Sequence, residues 1–175
     1  ALMVAQGQCS DSPMASQPAP ALGRPLPRDL SMAEVEALLA APDPGTVLGL
    51  RDRTMLEVLY ACGLRVSELV GLSLEQLNRN AGFVRIKGKG SKERLVPLSP
   101  RARAAMAAHL AGLRAAGAAA SKWLFPSWGE AGHTTRQAFA RDLKALAARV
   151  GVAPESVSPH VLRHAFASHI LAHGA

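Results

Sequence analysis

The chain has 175 residues, a formal net charge of +7 from 20 Lys and Arg against 13 Asp and Glu, and only 4% aromatic side chains. That length suits one domain with a real core, the basic balance favours a polyanionic partner, and scarce aromatics argue against base stacking on aromatic platforms. No apolar run is long enough to span a membrane, residues 1–5 are too short for a signal peptide, and two cysteines (Cys9 and Cys62) imply no disulfide framework, which fits a reducing cytoplasm.

Residues 1–29 are rich in Pro, Ser, Ala and Gln, lack periodicity and read as a flexible linker or arm. Ser31 and Glu34 form a capping-box pattern ahead of Val35, Leu38 and Leu39, and Pro42 and Gly45 end that helix. A second helix is expected from about residue 50 to Cys62, with Met55, Leu56, Leu59 and Tyr60 apolar and Gly63 as its stop. Tyr60, the only tyrosine, reads as a core residue, and Cys62 as a small buried hydrophobe. Arg65 follows the Gly63 turn at the start of a short helix; taken alone, it pairs with a nearby acid such as Glu68.

Phe83-Val84-Arg85-Ile86 alternates as a strand does, and Arg94-Leu95-Val96-Pro97-Leu98 is its expected partner. Between them Gly88-Lys89-Gly90-Ser91-Lys92 makes a basic tip, which by itself is an edge guarded by lysine. Ser99-Pro100 opens an alanine-rich helix to about residue 116, whose Arg101, Arg103 and Arg114 either touch phosphates or keep the helix soluble. Trp123-Leu124-Phe125 is a short buried segment. Thr134 or Thr135 caps the next helix, which carries Arg136 and Gln137 in its first turn and Phe139, Leu143, Leu146 and Val150 on its apolar side, and ends at Gly151.

The last helix begins at Ser158-Pro159 and is expected to stop at Gly174. His160 and Arg163 share its first turn, where free N–H groups and the positive dipole end add to an imidazole and a guanidinium. Together they describe a place for a phosphate, although an isolated His-x-x-Arg pair is common. His160, His164, His169 and His173 include two i, i+4 pairs, but no acid lies between them as in His-Glu-x-x-His. No metal is therefore expected, and His164, His169 and His173 read as packing, helix-end or surface residues.

Three motifs stand in a telling order: Ala61-Cys62-Gly63-Leu64-Arg65-Val66-Ser67-Glu68-Leu69, then Ile86-Lys87-Gly88-Lys89-Gly90-Ser91-Lys92-Glu93-Arg94-Leu95-Val96-Pro97-Leu98, then Ser158-Pro159-His160-Val161-Leu162-Arg163-His164. In that order they resemble the tyrosine recombinases, and most of all the Xer-type resolvases of chromosome dimers, which serve chromosome partition at cell division. The resemblance runs almost continuously from about residue 31 to residue 175. It implies a mainly α fold with a small antiparallel β-sheet or hairpin, the DNA breaking-rejoining catalytic domain, over residues 30–175. It also implies Arg65, Lys89, His160 and Arg163 as catalytic residues, with Lys89 delivered by the hairpin. Lys87, Lys92 and Arg94 would be backbone contacts at best, and Arg136 and Gln137 candidate DNA contacts. The partners implied are a double-stranded DNA recombination site and further recombinase protomers, in a tetramer on that DNA, with no membrane and no cofactor.

Residue types agree with that chemistry. Transesterification at a DNA phosphate builds negative charge on its oxygens, which two planar guanidiniums, Arg65 and Arg163, can hold. The leaving 5′-oxygen needs a proton, which Lys89 can supply if neighbouring cations lower its pKa. His160 can bond the phosphate or accept the nucleophile's proton. In the family a tyrosine attacks to give a 3′-phosphotyrosyl link, which stores the bond energy for rejoining. A tyrosine at the place of Tyr60 is not that nucleophile. The family continues with a further His or Trp and then the nucleophilic Tyr, whereas this sequence stops at Ala175, and the helical domain that precedes the linker in the family is absent from it. A C-terminally incomplete, inactive catalytic domain is thus expected. The alternatives are a DNA-binding remnant that does not cut and a phage or transposon integrase; a type IB topoisomerase fits the Gly63–Leu69 wording less well.

Overall fold

A computed structural model of the chain describes residues 30–78, 82–87, 93–118 and 121–172. The proposed arm, Lys89, Lys92, His173 and the stop at Gly174 lie outside the described residues. The described elements are mainly helical, with one small antiparallel sheet, as expected.

Helix α1, Met32–Ala40, has the capping box read from the sequence: the Ser31 side chain accepts from the Glu34 N–H, and the Ser31 N–H donates to Glu34 Oε2 at 2.8 Å. Helix α2, Val47–Cys62, begins earlier than expected. Pro42 and Gly45 do interrupt the chain, but Thr46 restarts it at once, its Oγ1 accepting from Gly49 N–H at 3.0 Å. Both faces of α2 are covered, and Met55, Leu56, Val58 and Leu59 are fully buried. Tyr60 packs against the core as expected but at its margin, only half-buried.

Gly63 ends α2 in the left-handed region at φ 55°, its N–H donating to the Leu59 carbonyl. Helix α3, Val66–Val70, follows at once and buries Leu69 and Val70. A short sheet then forms in the order β1-β2-β3 from Leu77–Asn78, Phe83–Lys87 and Glu93–Pro97, all antiparallel. Val84 pairs with Val96 and Ile86 with Arg94. Val84 and Ile86 point into the core while Arg85 and Lys87 face out, as period-two alternation demands. The two-residue β1 has no such alternation and is not legible in the sequence.

Helix α4, Pro100–Ala115, is capped by Ser99 and lies along α2, where buried Thr54 aims its hydroxyl at the Ala105 carbonyl, 2.9 Å away. Leu124 and Phe125 are fully buried in the segment after it. Thr135, not Thr134, caps α5, Arg136–Arg149. Arg51 of α2 bonds Asp142 of α5 at 2.7 Å. Helix α6, Pro159–Ala172, packs on α2.

Candidate active site

The first half of the site is built on the turn between α2 and α3. Gly63 reverses the chain, and the fully buried Leu64 anchors it to the core. Arg65 comes next, in extended conformation at the cap position of α3, with 62% of its side chain exposed. Glu68, one turn on, has only 10% of its side chain exposed and bonds two arginines. Its Oε2 accepts from the Arg65 backbone N–H at 2.8 Å and from Arg94 Nη2 at 2.9 Å. Its Oε1 accepts from Arg94 Nη1 at 3.1 Å and from Arg65 Nη1 at 3.3 Å. Burial pushes the Glu68 carboxyl up, but the bonds from Arg94 and Arg65 outweigh it and hold it below the ordinary value. The Arg65–Glu68 pair was legible in the sequence; Arg94 as a second partner was not, since strand and helix meet only in the fold.

The second half is the first turn of α6. Ser158 Oγ accepts from Val161 N–H at 3.2 Å, which aims this helix end. His160 is exposed, its ring edge-on to His164 with centroids 4.8 Å apart. Arg163 is half-buried, and among the described residues no carboxylate pairs with it. Leu162 and Ala165 bury the helix against the core. Phe166, one turn beyond Arg163, lies against Gly63, two residues before Arg65. One helix-on-turn contact therefore joins the segments that carry Arg65, His160 and Arg163.

Tyr60 stands behind this contact. Its ring meets Phe166 edge-on at 6.3 Å, and its hydroxyl lies 2.9 Å from His169 Nδ1 and 3.4 Å from Met32 Sδ. Burial, helped by Glu36 and opposed by Arg101, pushes its pKa up, the wrong direction for an activated nucleophile.

Lys87 is exposed at the end of β2, opposite Glu93. A groove of about 570 Å³ beside it is lined by Ser67, Glu68, Gln76, Arg85 and Lys87 among others. Arg136 and Gln137 are exposed in the first turn of α5, which packs on α3 through its other side. Among the described residues no three His, Cys, Asp or Glu side chains gather as metal ligands, and no helix is long and apolar enough to cross a membrane.

A buried turn and a helix end presenting two arginines and a histidine on a mainly helical domain suit a protein that handles phosphates at its surface. The model of the phage integrase family matches residues 28–175. The chain belongs to that family, which comprises the tyrosine recombinases. It is 55% identical over 172 residues to tyrosine recombinase XerD of Pseudomonas aeruginosa, covering 97% of this chain and 57% of that protein. The crystal structure of XerA recombinase superposes with a TM-score of 0.72 at 26% identity, covering 86% of this chain and 53% of the other. The XerH site-specific recombinase bound to its difH substrate in a pre-cleavage complex shares the fold, with a TM-score of 0.70 at 21% identity over 85% of this chain and 44% of the other. The chain thus spans about half the length of these relatives, from 44% to 57%.

Proposed function

We propose that the chain is the core of a site-specific DNA recombinase of the Xer type, acting in the cytoplasm on a duplex recombination site within a tetramer. The observation that carries this reading is the packing of Phe166 on Gly63, which joins the arginine-bearing turn to the His160–Arg163 helix end in a chain of this family. Arg65 and Arg163 hold the nonbridging oxygens of the scissile phosphate and stabilise the charge that develops on them. Lys89 gives its proton to the 5′-oxygen as the P–O bond breaks, and His160 bonds the phosphate or takes the proton of the attacking tyrosine. The new bond is a 3′-phosphotyrosyl ester, and the reverse steps rejoin the strand. The nucleophile is a tyrosine other than Tyr60, whose hydroxyl is engaged by His169. Lys87, Lys92, Arg136 and Gln137 contact the DNA backbone.

The second reading, DNA binding without cutting, is favoured by the packed state of Tyr60, whose hydroxyl lies 2.9 Å from His169 Nδ1. A nicked suicide substrate separates the two. It is incubated with this chain and with a version continued past Ala175 by the tyrosine-bearing segment of a relative, and a protein–DNA adduct is sought on a denaturing gel. An adduct only with the continued chain supports the recombinase reading. An adduct with the chain as it stands overturns the assignment of Tyr60, and no adduct from either, with site binding intact, favours the binding-only reading.

A further inference from the structure

Arg94 keeps 42% of its side chain exposed, but its guanidinium is engaged. It closes a fork on a carboxylate, Nη1 to Oε1 at 3.1 Å and Nη2 to Oε2 at 2.9 Å of Glu68. The same two oxygens each take one further bond, Oε2 from the Arg65 backbone and Oε1 from the Arg65 guanidinium. We propose that Arg94 is a positioning residue, fixing the Glu68 carboxylate and through it the orientation of Arg65. This inference rests on the recombinase reading, in which Arg65 holds the scissile phosphate.

The asymmetry of the four bonds supports it. Arg94 makes the paired, fork-shaped contact that fixes a carboxylate's plane. Arg65 makes the single, longer side-chain bond of 3.3 Å and keeps 62% of its side chain exposed. Glu68, with 10% of its side chain exposed, is tied locally at Oε2 by the Arg65 backbone N–H, and the Arg94 guanidinium spans both of its oxygens and fixes their plane. Arg65 is then aimed by Glu68 but not consumed by it, and stays open to a phosphate. Arg94 sits on β3, paired with Ile86 of β2, so the aim of Arg65 depends on how the sheet is seated.

The test follows the guanidinium N–H signals of Arg65 by NMR in this chain, in R94A, R94K and E68Q, and in the double variant R94A/E68Q, with thermal melts as a fold control. In R94A these protons exchange with solvent roughly five- to ten-fold faster, the factor that one net hydrogen bond represents. R94K does not restore them, because an ammonium cannot form the fork. In the E68Q background R94A adds nothing further. An Arg65 signal indifferent to R94A overturns the proposal, as does an equal change in both backgrounds. Should R94A unfold, R94K carries the same comparison, since it keeps the charge and loses only the fork. Failure of the recombinase reading is seen separately: an Arg65 signal that shifts while the continued chain forms no adduct keeps the coupling and rejects the enzyme, and the opposite pair of results does the reverse.

Discussion

The ring of Phe166 fills the space a side chain at Gly63 would need: a Cβ at that position would lie 2.5 Å from Cε1 and 2.6 Å from Cδ1. Gly63 is required twice over, by its positive φ of 55° and by this contact. Gly63→Ala therefore costs about 1–2 kcal/mol in backbone strain and about 1–3 kcal/mol in overpacking. On a domain of this size the melting temperature falls by roughly 5–15 °C. In a Phe166→Ala background the clash is gone and only the backbone cost remains, so the two substitutions are less than additive in urea unfolding. Full additivity would mean that the ring does not limit the turn.

Cys62 reports the integrity of the same region. The residue is 8% exposed, its thiol donates to the Pro97 carbonyl at 3.4 Å, and burial pushes its pKa up to about 11. At pH 8 the folded chain holds almost no thiolate there, whereas an unfolded cysteine titrates near 8.5. In a Cys9→Ser background, maleimide labelling of Cys62 is expected to be slow and to accelerate in step with unfolding by urea. Fast labelling in native buffer would contradict the packing of α2 on β3.

His109 makes stability depend on pH. It is 1% exposed, its Nε2–H donates to the Leu124 carbonyl at 2.8 Å, and its ring stacks on Phe125. Burial lowers its pKa against the opposing pull of the Leu124 bond, with Arg51 adding to the lowering. Below about 6.5 the unfolded chain takes up a proton that the folded chain refuses, so stability is lost as pH falls from there toward the folded value. His109→Gln keeps a donor for Leu124 and cannot titrate, so chemical denaturation from pH 7 to 5 loses that slope. Glu68 acts with its folded value lowered: its contribution is complete above about 4.3 and is lost as pH falls below. Glu68→Gln removes that more acidic component alone.

Arg136 is exposed in the first turn of α5, where it is free to meet a phosphate. Arg136→Ala is expected to weaken duplex binding without regard to sequence and to lower the slope of log K against log salt by about 1. Fluorescence anisotropy over a salt series measures both, and an unchanged slope removes Arg136 from the interface.

Most helix boundaries were legible because their signals are local. Ser31 with Glu34, Ser99 with Pro100, and Gly63 each act within one turn, and the structure uses each as read. The start of α2 was missed because Gly45 and Thr46 are adjacent, so a stop and a cap overlap. In the site, the arginine–glutamate pair three residues apart was visible in the sequence, while the grip of Arg94 on Glu68 spans 26 positions and exists only once the sheet docks. Tyr60 read as core from its periodic position, yet its hydroxyl comes to lie against His169 at the edge of α6, a partner that local pattern cannot supply.

The docking of α6 on α2 also sets a schedule for biosynthesis. Tyr60 and His169, which meet across that interface, are 109 positions apart. At elongation rates of about 5–20 residues per second, α2 waits roughly 5–20 s on the ribosome before its partner has been made. Throughout that interval one apolar flank of α2 is open to chaperones and to other nascent chains. The two arginines are separated for as long, so a chain released early can carry a well-formed α2, sheet and α4 and still have no phosphate grip.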